Sequence, residues 1–228
     1  MEELLKFLSE HYTIPFYLFV WIVAMARYRT YFDTPLKYYP MYLMYTFLTE
    51  VLGYFVKYVD GIQFFSDERY NWHNVIIYNI YSVISMLFFY YVYWKILKTK
   101  KYRDWVKYGA ILAMLAYFVS VFFQNPLHYN LYYADMISAY ILIFVIALYY
   151  KEKKVEDNPL PQSQNLMFWT SFGLVAFHLF FPLIFLAGYE APRFYINYHL
   201  RDILLVLILI MYGSFMVGVI VHKRRAFR

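Results

Sequence analysis

The chain contains no cysteine, which excludes disulfides, thiolate metal sites and cysteine nucleophiles. Charge is scarce as well: 16% of residues are charged, where a soluble domain carries about 25%. The longest polar segment runs only from Lys151 to Gln164, and Pro159 and Pro161 make it a turn region. Motifs that announce catalysis are missing, with no His-Glu-x-x-His, no Gly-rich phosphate loop and no Gly-x-Ser-x-Gly. A secretory leader is not expected either. Met1-Glu2-Glu3 carries acid where such a leader carries basic residues, and no small-residue cleavage site follows.

What the chain has is apolar length. Hydrophobic residues make up 63% of the 228, against about 45–50% in a soluble domain. A spanning helix needs ~20 mainly apolar residues, and seven stretches qualify: 12–31, 38–58, 74–96, 107–124, 131–150, 165–187 and 199–221. Continuous apolar runs argue against a β-barrel, whose strands alternate their facing residues over ~10 positions. The expected fold is therefore all-α, a polytopic membrane protein built as one seven-helix bundle over residues 1–228. Met1–Glu10, with Leu4, Leu5, Phe7 and Leu8, reads as an amphipathic lead-in at the outer interface.

Basic residues set the expected orientation. Sixteen of the 21 lie at Arg27–Lys37, Lys95–Lys107, Lys151–Gln164 and after residue 221. The alternate connections hold only Lys6, Lys57, Arg69, Arg193 and Arg201. The positive-inside bias then puts the N-terminus outside and the C-terminus in the cytoplasm, and a bacterial inner membrane suits the missing cysteines. The basic residues hug helix ends, so anionic lipid headgroups are the expected partners and nucleic acid is not. Of the 29 tyrosines many stand at span ends, where an aromatic belt is expected, as with Tyr28, Tyr31, Tyr38, Tyr39, Tyr132, Tyr133, Tyr149 and Tyr150, and most are expected to serve as such anchors or in bundle packing.

Ionisable and polar groups inside spans point to function, because a charge at the centre of a spanning helix costs about 2.5–3.5 kcal/mol or more unless paired or wetted. Glu50 shares a helical face with Thr46, Gly53 and Lys57; Asn79 pairs in phase with Ser82, and Asp135 with Ser138. His178 lies on a face with Ser171, Val175 and Pro182. In the expected orientation Glu50, Asn79, Gln124, Asp135, His178, His199 and Asp202 fall in the outer half as candidate pocket residues. Two readings stay open for them: an outward ligand pocket, or a buried polar network that sets helix register. His199 and Asp202 stand three apart and are expected to pair. No histidine pair has metal-ligand spacing on one helix, so no metal and no cofactor are expected. A stripe of small residues, Gly109, Ala113, Ala116 and Ser120, suits close packing inside the bundle.

Pro159-Leu160-Pro161 followed by Gln164-Asn165-Leu166-Met167-Phe168-Trp169, and Gln124-Asn125-Pro126 after the fourth stretch, resemble segments of bacterial seven-helix sensory membrane proteins. The layout is similar to the seven-helix regions of some histidine kinases. The resemblance implies a receptor-like, non-enzymatic role in which an external small molecule, lipid or ion binds. No output domain is expected after Arg228, so the signal would pass to a separate partner. A small-solute transporter and an assembly subunit of a membrane complex are the alternatives. The prolines do not recur at matching places in the first and last three stretches, which departs from seven-helix sugar transporters. Only His178 lies well inside a stretch, which departs from seven-helix zinc hydrolases.

Overall fold

The computed structural model describes residues 11–59, 61–65, 73–155 and 161–223. The lead-in Met1–Glu10, most of the polar segment's centre and the tail beyond Lys223 lie outside the described residues. Those described are helical, with no strand among them. Seven long helices follow one another: α1 Thr13–Ala26, α2 Tyr39–Tyr58, α3 Val75–Ile96, α4 Lys100–Ser120, α5 Tyr132–Val155, α6 Leu166–Glu190 and α7 Leu200–Val221. A short helix, Pro192–Asn197, turns the chain between α6 and α7.

Four of these helices, α3, α5, α6 and α7, are long and apolar enough to cross a membrane. The other three fall short for identifiable reasons. α1 has 14 residues, about 21 Å at 1.5 Å per residue. α2 mixes five tyrosines with Glu50 and Lys57, which lowers its mean hydropathy. α4 starts seven residues earlier than the expected apolar stretch and takes in Lys100, Lys101, Arg103, Asp104 and Lys107. It also ends at Ser120; the expected last residues, through Gln124, form a turn, with Gln124 N donating to Ser120 O at 2.8 Å.

The early start of α4 has a tertiary cause. The carboxylate of Glu152, at the end of α5, accepts from Lys98 N at 2.8 Å and Thr99 N at 2.9 Å. An anion there satisfies the orphan amides of a helix N-terminus and complements its dipole. Other polar contacts tie together the segments rich in basic residues. Arg27 donates to Ile220 O at 3.1 Å, and Lys223 N to Gln164 O at 3.1 Å. The Asn165 side chain caps α6 by accepting from Met167 N at 2.9 Å. The ends of α1, α5 and α7 and the start of α6 therefore share one end of the bundle.

One buried cluster draws on all seven helices, from Tyr17 in α1 through Val106 in α4 to Val219 in α7. Where backbones must meet, glycine stands. A Cβ on Gly173 would lie 2.8 Å from Met211 O, and one on Gly218 would lie 2.8 Å from Trp169 Cβ, so α6 and α7 touch backbone to side. The small-residue stripe of α4 packs against α5: a Cβ on Gly109 would lie 2.7 Å from Ile141, and Ala113 is fully buried. On the outside, large apolar side chains stay bare, among them Met41, Phe118, Phe122, Phe123 and Ile203. An aqueous protein rarely leaves so much apolar surface uncovered.

The aromatic belt needs correction. Tyr28, Tyr38 and Tyr133 are exposed, whereas Tyr31, Tyr39 and Tyr149 are buried. Tyr31 donates its hydroxyl to Ala24 O at 2.6 Å, closing an orphan carbonyl in the last turn of α1. Position near a helix end did not decide orientation: Tyr39 is buried among rings, against Phe215 at 5.5 Å, with no hydrogen-bond partner for its hydroxyl among the described residues.

Candidate functional site

A cavity of about 250 Å³ lies among α1, α2, α3, α5, α6 and α7, in the half of the bundle away from the basic end. Three of the seven candidates line it: Glu50 from α2, Asp135 from α5 and His178 from α6. Helical phase had placed all three inward, and the tertiary structure brings them around one space. Asp135 is 2% exposed and accepts from the Tyr117 hydroxyl at 2.6 Å, while Ser138 donates to Asp135 O at 3.1 Å. His178 Nδ1 stands 2.9 Å from Leu174 O. A carbonyl can only accept, so Nδ1 carries the proton and Nε2 is left as an acceptor. Pro182, four residues on, cannot donate back to His178 O, which loosens α6 beside the cavity.

The other four candidates serve elsewhere. Asn79 does not line the cavity: its Nδ2 donates to Pro126 O at 2.7 Å and Tyr129 O at 3.0 Å, and its Oδ1 accepts from Leu131 N at 3.0 Å. Those three bonds clamp the connection between α4 and α5. Gln124 braces the same connection, Nε2 reaching Asn130 O at 3.5 Å. His199 and Asp202 do pair, at 3.7 Å, but their side chains are 81% and 72% exposed at the start of α7. They line neither the cavity nor the hollow beside it, because both side chains point to the exposed side of the first turn of α7. His199 itself adopts φ 50°, a left-handed conformation that starts the helix.

Tyrosine supplies what the phase argument missed. The hydroxyls of Tyr42, Tyr81 and Tyr212 form a cluster with Thr46: Tyr42 to Tyr81 at 3.1 Å, Tyr81 to Tyr212 at 2.8 Å, and Tyr81 to Thr46 at 3.1 Å. The cluster joins α2, α3 and α7 along one wall of the cavity. The Tyr17 ring packs edge-on to Tyr212 at 4.7 Å. Phe177, Phe181 and Phe185, at helical spacing on α6, line the opposite wall. Tyr42, Thr46 and Glu50 recur every four residues, so the sequence held a signal, hidden among so many tyrosines.

Comparison with protein-family models, curated proteins and solved structures gives no match. The chemistry of the site must therefore be read from its own geometry. A second, wider hollow of about 440 Å³ lies at the helix ends and includes Lys57, Tyr58, Asn74 and Arg201. Glu50, Tyr78, Phe185 and Leu204 line both spaces, so they stand at the neck where vestibule and cavity adjoin. Tyr78 donates to Glu50 Oε2 at 3.3 Å across that neck. Gly53 makes the arrangement possible, since a Cβ there would lie 2.5 Å from the Tyr78 hydroxyl.

Two histidines meet near this end of the bundle. His73, before α3, and His128, in the α4–α5 connection, hold their rings 5.7 Å apart, edge to face. Desolvation, and then the neighbouring His128, lower the pKa of His73. No group of three or more metal-ligating side chains gathers among the described residues.

Proposed function

We propose that the chain is a seven-span membrane protein, N-terminus outside, that binds a small external molecule in this cavity and passes its occupancy to a separate partner. One observation carries the reading. A largely apolar space, into which Glu50, Asp135 and His178 bring a few polar groups, adjoins a vestibule at the end of the bundle poor in basic residues. The other features agree with it. Sixteen basic residues at alternate connections favour that end as the outer one. The bare apolar side chains on α2, α4 and α7 suit contact with lipid, including on helices whose charged turns lower their average. α6 and α7 touch at Gly173 and contribute His178 and Met211 to the cavity wall, so a ligand that prefers one spacing of these helices would shift them together.

A receptor fits better than a transporter. The basic half is packed with buried rings, Tyr39 against Phe215 at 5.5 Å and Tyr93 against Tyr149 at 5.9 Å, and the cavity lies toward the other end. The absence of native cysteine makes the test direct. In intact cells, an impermeant maleimide is expected to label Asn125→Cys and spare Ser163→Cys, and a small thiol reagent to reach Ser82→Cys in the cavity wall. Labelling of Ser163→Cys from outside would reverse the topology. An unreactive Ser82→Cys would remove the open cavity, and net uptake of solute into vesicles would replace receptor by transporter.

A further inference from the structure

Resting on the receptor reading, we propose that the cavity is a site for a compact organic ammonium ion. Two carboxyl groups, Glu50 and Asp135, face it from different helices, and no lysine or arginine lines it. A buried carboxyl without a counter-charge favours its neutral form, so a cation brought in from outside is what would let these two ionise and would be held by them once they did. Hydrogen bonds already made by these carboxyls come from neutral hydroxyls, Tyr117 at 2.6 Å and Ser82 on Asp135 and Tyr78 at 3.3 Å on Glu50, which supply no positive charge.

The rest of the lining selects the kind of cation. Tyrosine and phenylalanine rings from five helices surround the space: Tyr17, Tyr42, Phe89, Phe181 and Tyr212 stand on α1, α2, α3, α6 and α7. Ring faces attract cations, and alkylated ammonium ions best suit an aromatic enclosure because their methyl groups need no hydrogen bonds. A hydrated metal ion would find few oxygen ligands here and much apolar surface. His178 adds a neutral acceptor, Nε2, able to take a hydrogen bond from a hydroxyl or ammonium N–H. Size limits the ligand too. A dry 150 Å³ cavity in another protein holds benzene, so about 250 Å³ suits a molecule of roughly six to twelve heavy atoms. The cations Lys57 and Arg201 edge the vestibule, are exposed to water and do not line the cavity. Salt screens them over about 8 Å.

The experiment uses the full chain, purified in detergent, with choline, its uncharged isostere 3,3-dimethylbutan-1-ol, and acetate as titrants. Choline is expected to bind at least tenfold more tightly than the isostere, and acetate not to compete. Asp135→Asn and Glu50→Gln are each expected to weaken choline at least tenfold while leaving the isostere within threefold. Glu50 sits at the half-buried neck, so its variant tests the charge even where Asp135→Asn fails to fold. Phe181→Leu is expected to weaken choline selectively, as a ring–cation contact requires, and His199→Ala to change nothing. Equal affinity for choline and its isostere, or full choline affinity in both carboxyl variants, would overturn the ammonium assignment. So would the absence of choline binding in a protein whose Ser82→Cys thiol is reached from outside, an outcome that leaves the cavity itself standing.

Discussion

The α6–α7 seam offers a measurement in which one unwanted effect cancels. Gly173 and Gly213 are both helical, but a Cβ on Gly173 meets Met211 O at 2.8 Å and Met211 Cα at 3.1 Å, whereas one on Gly213 meets nothing within 4 Å. Backbone atoms cannot swing aside as a side chain does. To restore an ordinary contact near 3.4 Å, α7 must recede by about 0.6 Å. Overpacking of this kind costs about 1–3 kcal/mol, and either substitution gains up to about 1 kcal/mol of helix propensity. That gain is common to Gly173→Ala and Gly213→Ala, so the difference between them isolates the packing cost. Gly173→Ala should be the less stable by about 1–3 kcal/mol, or roughly 2–12 °C in melting midpoint for a chain of this length. Thermal unfolding of both variants in one detergent reads the difference. Because Met211 also lines the cavity, choline affinity should fall in Gly173→Ala and hold in Gly213→Ala. Equal stabilities would refute the close helix contact on which the coupling of α6 to α7 depends.

Three further outcomes are expected. Tyr117→Phe removes the hydrogen bond that joins α4 to Asp135, and chemical unfolding should register a loss of about 0.6–1.5 kcal/mol; no loss would mean the bond is not formed. Asn79→Ala releases three bonds to the α4–α5 connection, so external protease should cut near Leu127 faster than in the parent, while α3 keeps its helicity by circular dichroism. His73 and His222 both have pKa values lowered, in each case first by desolvation. The unfolded chain then binds more protons than the folded one as pH falls through about 6.5, so stability present above that value is lost below it. Melting midpoints measured from pH 8 to pH 5 should decline, and His73→Gln should shallow the slope; a flat profile would contradict the burial of these rings.

Much of the architecture was legible because it depends on local composition. Apolar runs long enough to cross lipid need no partner to be recognised, and the observed helix bounds differ from the expected ones by a few residues at most ends. α1 stops five residues short of its expected end and α5 runs five past, but the largest shift is the start of α4, seven residues early, and its cause is tertiary: Glu152 from α5 caps a turn whose own lysines had suggested a loop. The site was half legible for the same reason. Helical phase placed Glu50, Asp135 and His178 inward, since an inward face is a property of one helix. It could not separate them from Asn79, which faces inward equally but spends its hydrogen bonds on a neighbouring connection.

Sequence alone, then, determined that this chain is helical and apolar, which residues are costly in lipid, and which helix ends carry the positive charge. These follow from side-chain chemistry counted along a line. Tertiary structure decided which tyrosines turn inward, that the carboxyls of α2 and α5 face one space, and that His199 and Asp202 stand outside it. Such facts depend on helix rotation and tilt, which are set by close contacts such as Gly173 on the Met211 backbone. No pattern within a single helix contains the position of its neighbour.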